Sequence, residues 1–150
     1  MSKKRAAAKP PNVGLVIDSS IPIAWCFPDE QDDYSQTVLD ALASTQAVVP
    51  HLWHLEVANT LLVGERRKRS TQANTMTWLG FLSALPITGD TETNHYVFGN
   101  TLNLARNHHL SAYDTAYLEL AMRLALPLAT LDDKLKAAAF NVGIQLFDVQ

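Results

Sequence analysis

The chain has 150 residues, 47 % hydrophobic and 18 % charged, long enough to bury one core and too apolar to be a disordered chain. Its single cysteine, Cys26, excludes an internal disulfide and points to a reducing compartment, and no apolar run is long enough to span a bilayer. The net charge of −3 hides an asymmetry: Lys3, Lys4, Arg5 and Lys9 are four of the twelve basic residues, leaving eight against fifteen acidic ones, or −7, in the body.

The basic N-terminal residues are not followed by an apolar stretch, so they do not read as a secretory signal, and a cytoplasmic protein is expected. Residues 1–12 are expected to form a disordered basic tail, with residues 13–150 as one domain. An acidic body that meets nucleic acid needs bound cations to screen its charge.

Val13-Gly-Leu-Val-Ile17, bounded by Pro11 and by Asp18-Ser-Ser20, reads as a buried strand of a parallel sheet. A helix is expected over 20–27, with Pro22 tolerated in its first turn and Pro28 ending it. Asp18 then lies at the carboxyl end of a central strand, where open α/β sheets place ligands, and is equally suited to capping the helix after it. Residues 31–45 predict a second helix with Tyr34, Val38, Ala41 and Leu42 inward, and Ala47-Val-Val-Pro50 a second strand.

A long helix over 51–69 is expected to bury Leu55, Ala58 and Leu62. Glu56 and Asn59, three apart, can reach one point in space. Its basic end, Glu65-Arg-Arg-Lys-Arg69, complements the helix dipole. Further helices are predicted over 70–85 and 91–109, separated by an extended piece at 86–88. His51 and His54 lack a third nitrogen or sulfur ligand at fixed spacing, so zinc is a weak reading.

Leu110-Ser-Ala-Tyr-Asp-Thr-Ala-Tyr-Leu-Glu-Leu-Ala121 opens the next helix. Asp114 aligns with an apolar stripe through Leu118, Ala121 and Ala125, while Thr115, Glu119 and Arg123 form the charged face. Ser111 and Asp114 match a capping box. Strands follow at 127–130 and 144–147, with a helix between. Thr130 and Asp133 make a second capping-box candidate, which leaves Asp132 for chemistry. Alternating strands and helices indicate a parallel sheet wrapped by helices, and the phosphate-cradling glycine motifs are absent.

Asp18, Glu56, Asp114 and Asp132 can converge on one sheet edge. Clustered carboxylates repel unless a cation intervenes, and an all-oxygen set suits Mg2+ or Mn2+. Such an ion assists phosphodiester hydrolysis.

Val16-Ile-Asp18-Ser-Ser20, Leu55-Glu56-Val-Ala-Asn59, Ser111-Ala-Tyr-Asp114-Thr-Ala-Tyr-Leu118 and Leu128-Ala-Thr130-Leu-Asp132 together resemble the four ordered motifs of PIN-domain nucleases. The similarity is greatest to the VapC-type toxins of bacterial toxin–antitoxin pairs and covers roughly residues 13–148. It implies a three-layer α/β/α fold with a central parallel sheet, and a Mg2+- or Mn2+-dependent endoribonuclease. A cognate antitoxin and a homodimer are implied as well. Carried over by position, Asp18, Glu56 and Asp114 are the principal metal-binding acids and Asp132 the fourth, with Thr130, Asn59 and Ser19 supporting them. The rival reading is a catalytically silent PIN-like binding or regulatory module, which has no need of four mutually repelling acids. A phosphatase-like enzyme on another α/β scaffold would need an Asp-x-Asp motif that is lacking after the first strand.

Overall fold

Short, largely apolar segments become the inner strands of the sheet. The computed structural model describes residues 12–148; the expected basic tail falls outside this range except for Asn12. Strands β1 (Val13–Ile17), β2 (Gln46–Pro50), β3 (Ile87–Asp90) and β4 (Leu128–Ala129) lie in the order β3-β2-β1-β4, all parallel. The two inner strands are buried on both faces: Leu15, Val16, Ile17, Ala47 and Val49 are wholly inaccessible. This is why they read as continuous apolar runs and not as alternating ones. Burying each such Val, Leu or Ile side chain is worth about 1.5–3 kcal/mol.

Helices cover the sheet in a three-layer α/β/α arrangement. They are α1 (Ser20–Cys26), α2 (Asp33–Ala41), α3 (Leu52–Arg66), α4 (Gln72–Ser83), α5 (Thr93–Tyr96), α6 (Leu102–His108), α7 (Ala112–Leu124) and α8 (Asp133–Asn141). Asp32 caps α2 by accepting the N–H of Ser35, and Thr71 and Asn74 form a reciprocal capping box on α4. The inward face expected for α2 is observed, with Val38 and Leu42 buried. Helix α7 packs on β1, β2 and β4, which makes it the central helix of the molecule.

Four expectations are corrected. Helix α3 buries Trp53, Val57, Leu61 and Gly64, not Leu55, Ala58 and Leu62, and Leu55 is 75 % exposed. The helix carries apolar residues on two stripes, and the sheet takes the one that ends in Gly64, where a side chain would strike Phe27. The charged face of α7 is buried: Arg123 pairs with Glu119 on its own helix and with Asp90 of β3. The helix expected over 91–109 is split into α5 and α6 by a π turn at Val97–Thr101, where Gly99, Asn100 and Thr101 are weak helix formers. The last extended segment forms no strand, only a parallel bridge from Leu146 to Leu128.

Among the described residues no helix is long and apolar enough to cross a membrane.

Candidate active site

Because β1 ends at Ile17, Asp18 leaves the sheet at its carboxyl edge, 6 % exposed. Its Oδ1 accepts the N–H of Ser20 at 3.1 Å and the Ser20 hydroxyl at 2.5 Å, and its Oδ2 accepts the Thr130 hydroxyl. The Trp53 indole N–H donates to the Asp18 carbonyl at 3.2 Å, pinning α3 to the same point. Asp18 thus receives the first N–H of α1 while lying at the sheet edge, although the N-cap position itself is Ser19. Burial pushes its carboxyl up to about 6; the bonds from Ser20 and Thr130 offset part of that, and Asp132 adds to the push.

Glu56 projects from α3, and its Oε1 accepts the hydroxyl of Tyr117, a residue 1 % exposed on α7. Burial raises the Glu56 carboxyl above its ordinary range, the Tyr117 bond opposes this, and the Asp114 charge reinforces it. Asp114 lies in the first turn of α7, where Ser111 Oγ accepts its backbone N–H at 3.0 Å, as the capping pattern predicts. Its carboxyl is raised by burial and then by Asp132, while the Ser111 hydroxyl and Lys134 pull the other way.

Thr130 and its neighbours resolve differently from the expected capping box. The capping residue of α8 is Asp132, whose Oδ1 accepts the Leu135 N–H at 2.8 Å. Asp133 is the first helical residue and faces Lys136 at 3.9 Å. The Thr130 oxygen accepts the Asp132 N–H at 3.0 Å while donating to Asp18. A cap uses one carboxylate oxygen, so Asp132 keeps the other for a ligand.

Charge couples Asp18 to Asp132, Asp132 to Asp114 and Asp114 to Glu56, a chain of neighbouring acids, with Thr130 bonded to both Asp18 and Asp132. Two supporting residues stand apart: Ser19 is the N-cap of α1 without a side-chain cap bond, and Asn59 is exposed on α3. Ser20, not Ser19, holds Asp18, and its oxygen also accepts the Leu131 N–H at 2.9 Å. Tyr117 has no assigned role in the sequence reading. The available signal was a polar-tipped aromatic three residues after Asp114, on a helix that feeds the site.

The donor set is all oxygen, which suits a hard divalent cation. Among the described residues no three His, Cys, Asp or Glu side chains are drawn into a ready-made cage. Carboxylates that raise one another's proton affinity stand off at short range, and a divalent cation is the group whose charge offsets that repulsion.

Among solved structures, the chain is similar to the crystal structure of PAE2754 from Pyrobaculum aerophilum, with a TM-score of 0.63 and 23 % identity. The similarity covers 85 % of this chain and 80 % of that one. A comparison with curated proteins finds no match. The sequence profile of the PIN domain matches residues 15–141. With most of its length matched and its parallel sheet formed as described, the chain belongs to the PIN-domain family, a fold that generally serves metal-dependent nucleases.

Proposed function

We propose that the protein is a Mg2+- or Mn2+-dependent endoribonuclease and the toxin of a bacterial VapC-type toxin–antitoxin pair. One observation carries the nuclease reading: acids from distant parts of the chain lie close enough that Asp132 raises the proton affinity of Asp18 and of Asp114, and Asp114 that of Glu56. A fold built only for binding gains nothing from that repulsion. The toxin reading is supported by the four motifs that contain these acids; it includes RNA as substrate, an antitoxin that occludes the site, a homodimer and action in the cytoplasm.

Asp18, Glu56 and Asp114 would hold the metal, with Asp132 through its uncapped oxygen. When bound, such an ion lowers the pKa of a water and stabilises charge on a phosphate. The chain's own residues prepare this arrangement. Thr130 and Ser20 fix both oxygens of Asp18; Oδ1 takes two bonds and Oδ2 one, so Oδ2 keeps capacity for a further contact. Tyr117 fixes Glu56 from the side of α7, so the helix that carries Asp114 also aims the glutamate.

Purified protein free of antitoxin should cut total cellular RNA into discrete fragments with Mg2+ or Mn2+, and not with EDTA or after Asp18→Ala. Pure, folded protein that binds no divalent ion and cuts nothing would sink the proposal. Growth arrest on expression, relieved by co-expressing a small protein encoded next to it, tests the toxin role separately.

A further inference from the structure

A pocket of about 200 Å3 opens beside the acid cluster, between the start of α3, the turn after β3 and the start of α7. Its lining reaches within one helical turn of two acids: Leu52 is four residues before Glu56, and Tyr113 immediately precedes Asp114. One turn is about 5.4 Å along a helix. The volume is below the roughly 300–1,000 Å3 of sites for drug-sized ligands, so the pocket suits a single ring system.

The lining chemistry narrows the ligand. None of the lining residues is Lys or Arg, so the pocket is not built for a phosphate. Its one carboxylate, Asp90, accepts from Arg123 at 2.7 Å and from Thr93 at 2.6 Å, so its charge is offset within the fold. Tyr113 stands 67 % exposed at one wall and His51 at another, two rings of the kind on which bases stack. Thr91 on the turn and Asn94 in α5 are exposed and offer a hydroxyl and a carboxamide, the groups that read a base edge. The His51 ring lies against Gly89, where a Cβ would come within 2.5 Å of His51 Cδ2 and push the ring aside.

We propose that this pocket receives one nucleobase of the substrate, next to the phosphate held at the acids, and thereby sets base preference at one position. The proposal rests on the nuclease reading for its substrate, yet base binding can be measured without cleavage.

The experiment is a 1H–15N NMR titration of the full chain in EDTA with the four nucleoside 5′-monophosphates. Ribose 5-phosphate and N-acetylphenylalanine amide serve as controls. At least one nucleotide should shift the Asn94 side-chain amide and the Tyr113 backbone amide, with one base binding several-fold tighter than the others. Asn94→Ala and Tyr113→Ala, both at exposed positions, should each weaken that nucleotide roughly tenfold, the first by losing a base-edge hydrogen bond and the second by losing a base stack. Both variants should keep the wild-type affinity for Mn2+.

No shift at the pocket with any nucleotide overturns the proposal. So does an equal shift with ribose 5-phosphate, which means a phosphate site, or a shift only with the phenylalanine amide, which means a protein side chain. In a second arm, wild type and Asn94→Ala cut a pool of randomised RNA. Flattened preference at one position supports the proposal, and an unchanged preference overturns it. Wild type that cuts nothing disproves the nuclease reading alone, because the titration still decides the pocket.

Discussion

Thr130 donates its hydroxyl to Asp18, 112 positions away, and accepts the Asp132 N–H at 3.0 Å on the same oxygen. One small side chain thus joins the first and last acids of the site. Thr130→Val keeps the shape and removes the donor. A hydrogen bond to a charged group is worth about 1.5–3 kcal/mol, so the Asp18 carboxyl should rise further. A higher pKa needs a higher pH for ionisation. The acid limb of the pH–rate profile should therefore move towards alkali by about one unit, with activity falling about tenfold near pH 5 and about twofold near pH 7, and recovering at pH 9. Thr130→Ser should restore the wild-type profile. A Val variant with unchanged profile would show that the hydroxyl only caps.

Asp18 also makes a prediction about stability. Its folded carboxyl titrates at about 6 against an ordinary 3.8, so the folded state favours the protonated form. That contribution is present below about pH 4 and lost as pH rises through 6; the difference is about 3 kcal/mol. Asp18→Asn should accordingly stabilise metal-free protein at pH 8 by about 1–3 kcal/mol, while abolishing cleavage. Thermal melts in EDTA at pH 4 and pH 8 check this. A variant less stable than wild type at pH 8 would contradict the origin of the shift in burial.

Tyr117 positions Glu56. Tyr117→Phe retains the buried ring and loses only the hydroxyl, so the fold should lose no more than about 1.5–3 kcal/mol, the worth of one hydrogen bond to a charged group. Residues that orient metal ligands typically contribute 10- to 100-fold in affinity or activity. We expect Mn2+ affinity, measured by calorimetry, to fall by about tenfold. Unchanged metal affinity would leave Tyr117 a packing residue.

Arg123 sits between Asp90 and Glu119, with all three side chains 10 % exposed or less, and lies over the Tyr96 ring at 4.5 Å. Burial alone would weaken its charge, but the bonds from Asp90 and Glu119 outweigh this and raise its pKa. Asp90 ends correspondingly low despite its own burial. Arg123→Met leaves two buried carboxylates without their cation, at a cost of about 3–5 kcal/mol. Urea melts read the loss, which should shrink at pH 4, where the carboxylates take up protons. A loss below 1 kcal/mol would mean that the pair is exposed to solvent in solution.

The same triad shows where the sequence stops being legible. Thr115, Glu119 and Arg123 form a polar stripe, and a local reading sends it to solvent. What buries it is Asp90, thirty-three positions from Arg123 and invisible to periodicity. The inner strands were legible because burial on both faces leaves a continuous apolar run. The stripe chosen by α3 was not, because Leu55 and Leu62 are as apolar as Val57 and Leu61; contact with the sheet decided between them. The acids were legible as residue types following strands and opening helices. Ser20 and Tyr117 were not, since a hydroxyl shows its role only once its acceptor is in reach.

The order β3-β2-β1-β4 has a consequence for synthesis. β1 is made first, yet its second neighbour is the last strand to be made, and Thr130 and Asp132 arrive with that strand. A nascent chain that has paired β1, β2 and β3 holds Asp18, Glu56 and, a little later, Asp114, but Asp18 still lacks the Thr130 hydroxyl. The cluster closes only when a long-range pairing is completed, the slowest kind of contact to form. For a protein proposed to cut the RNA of its own cell, the blade is thus assembled only after the last strand of the sheet has been made.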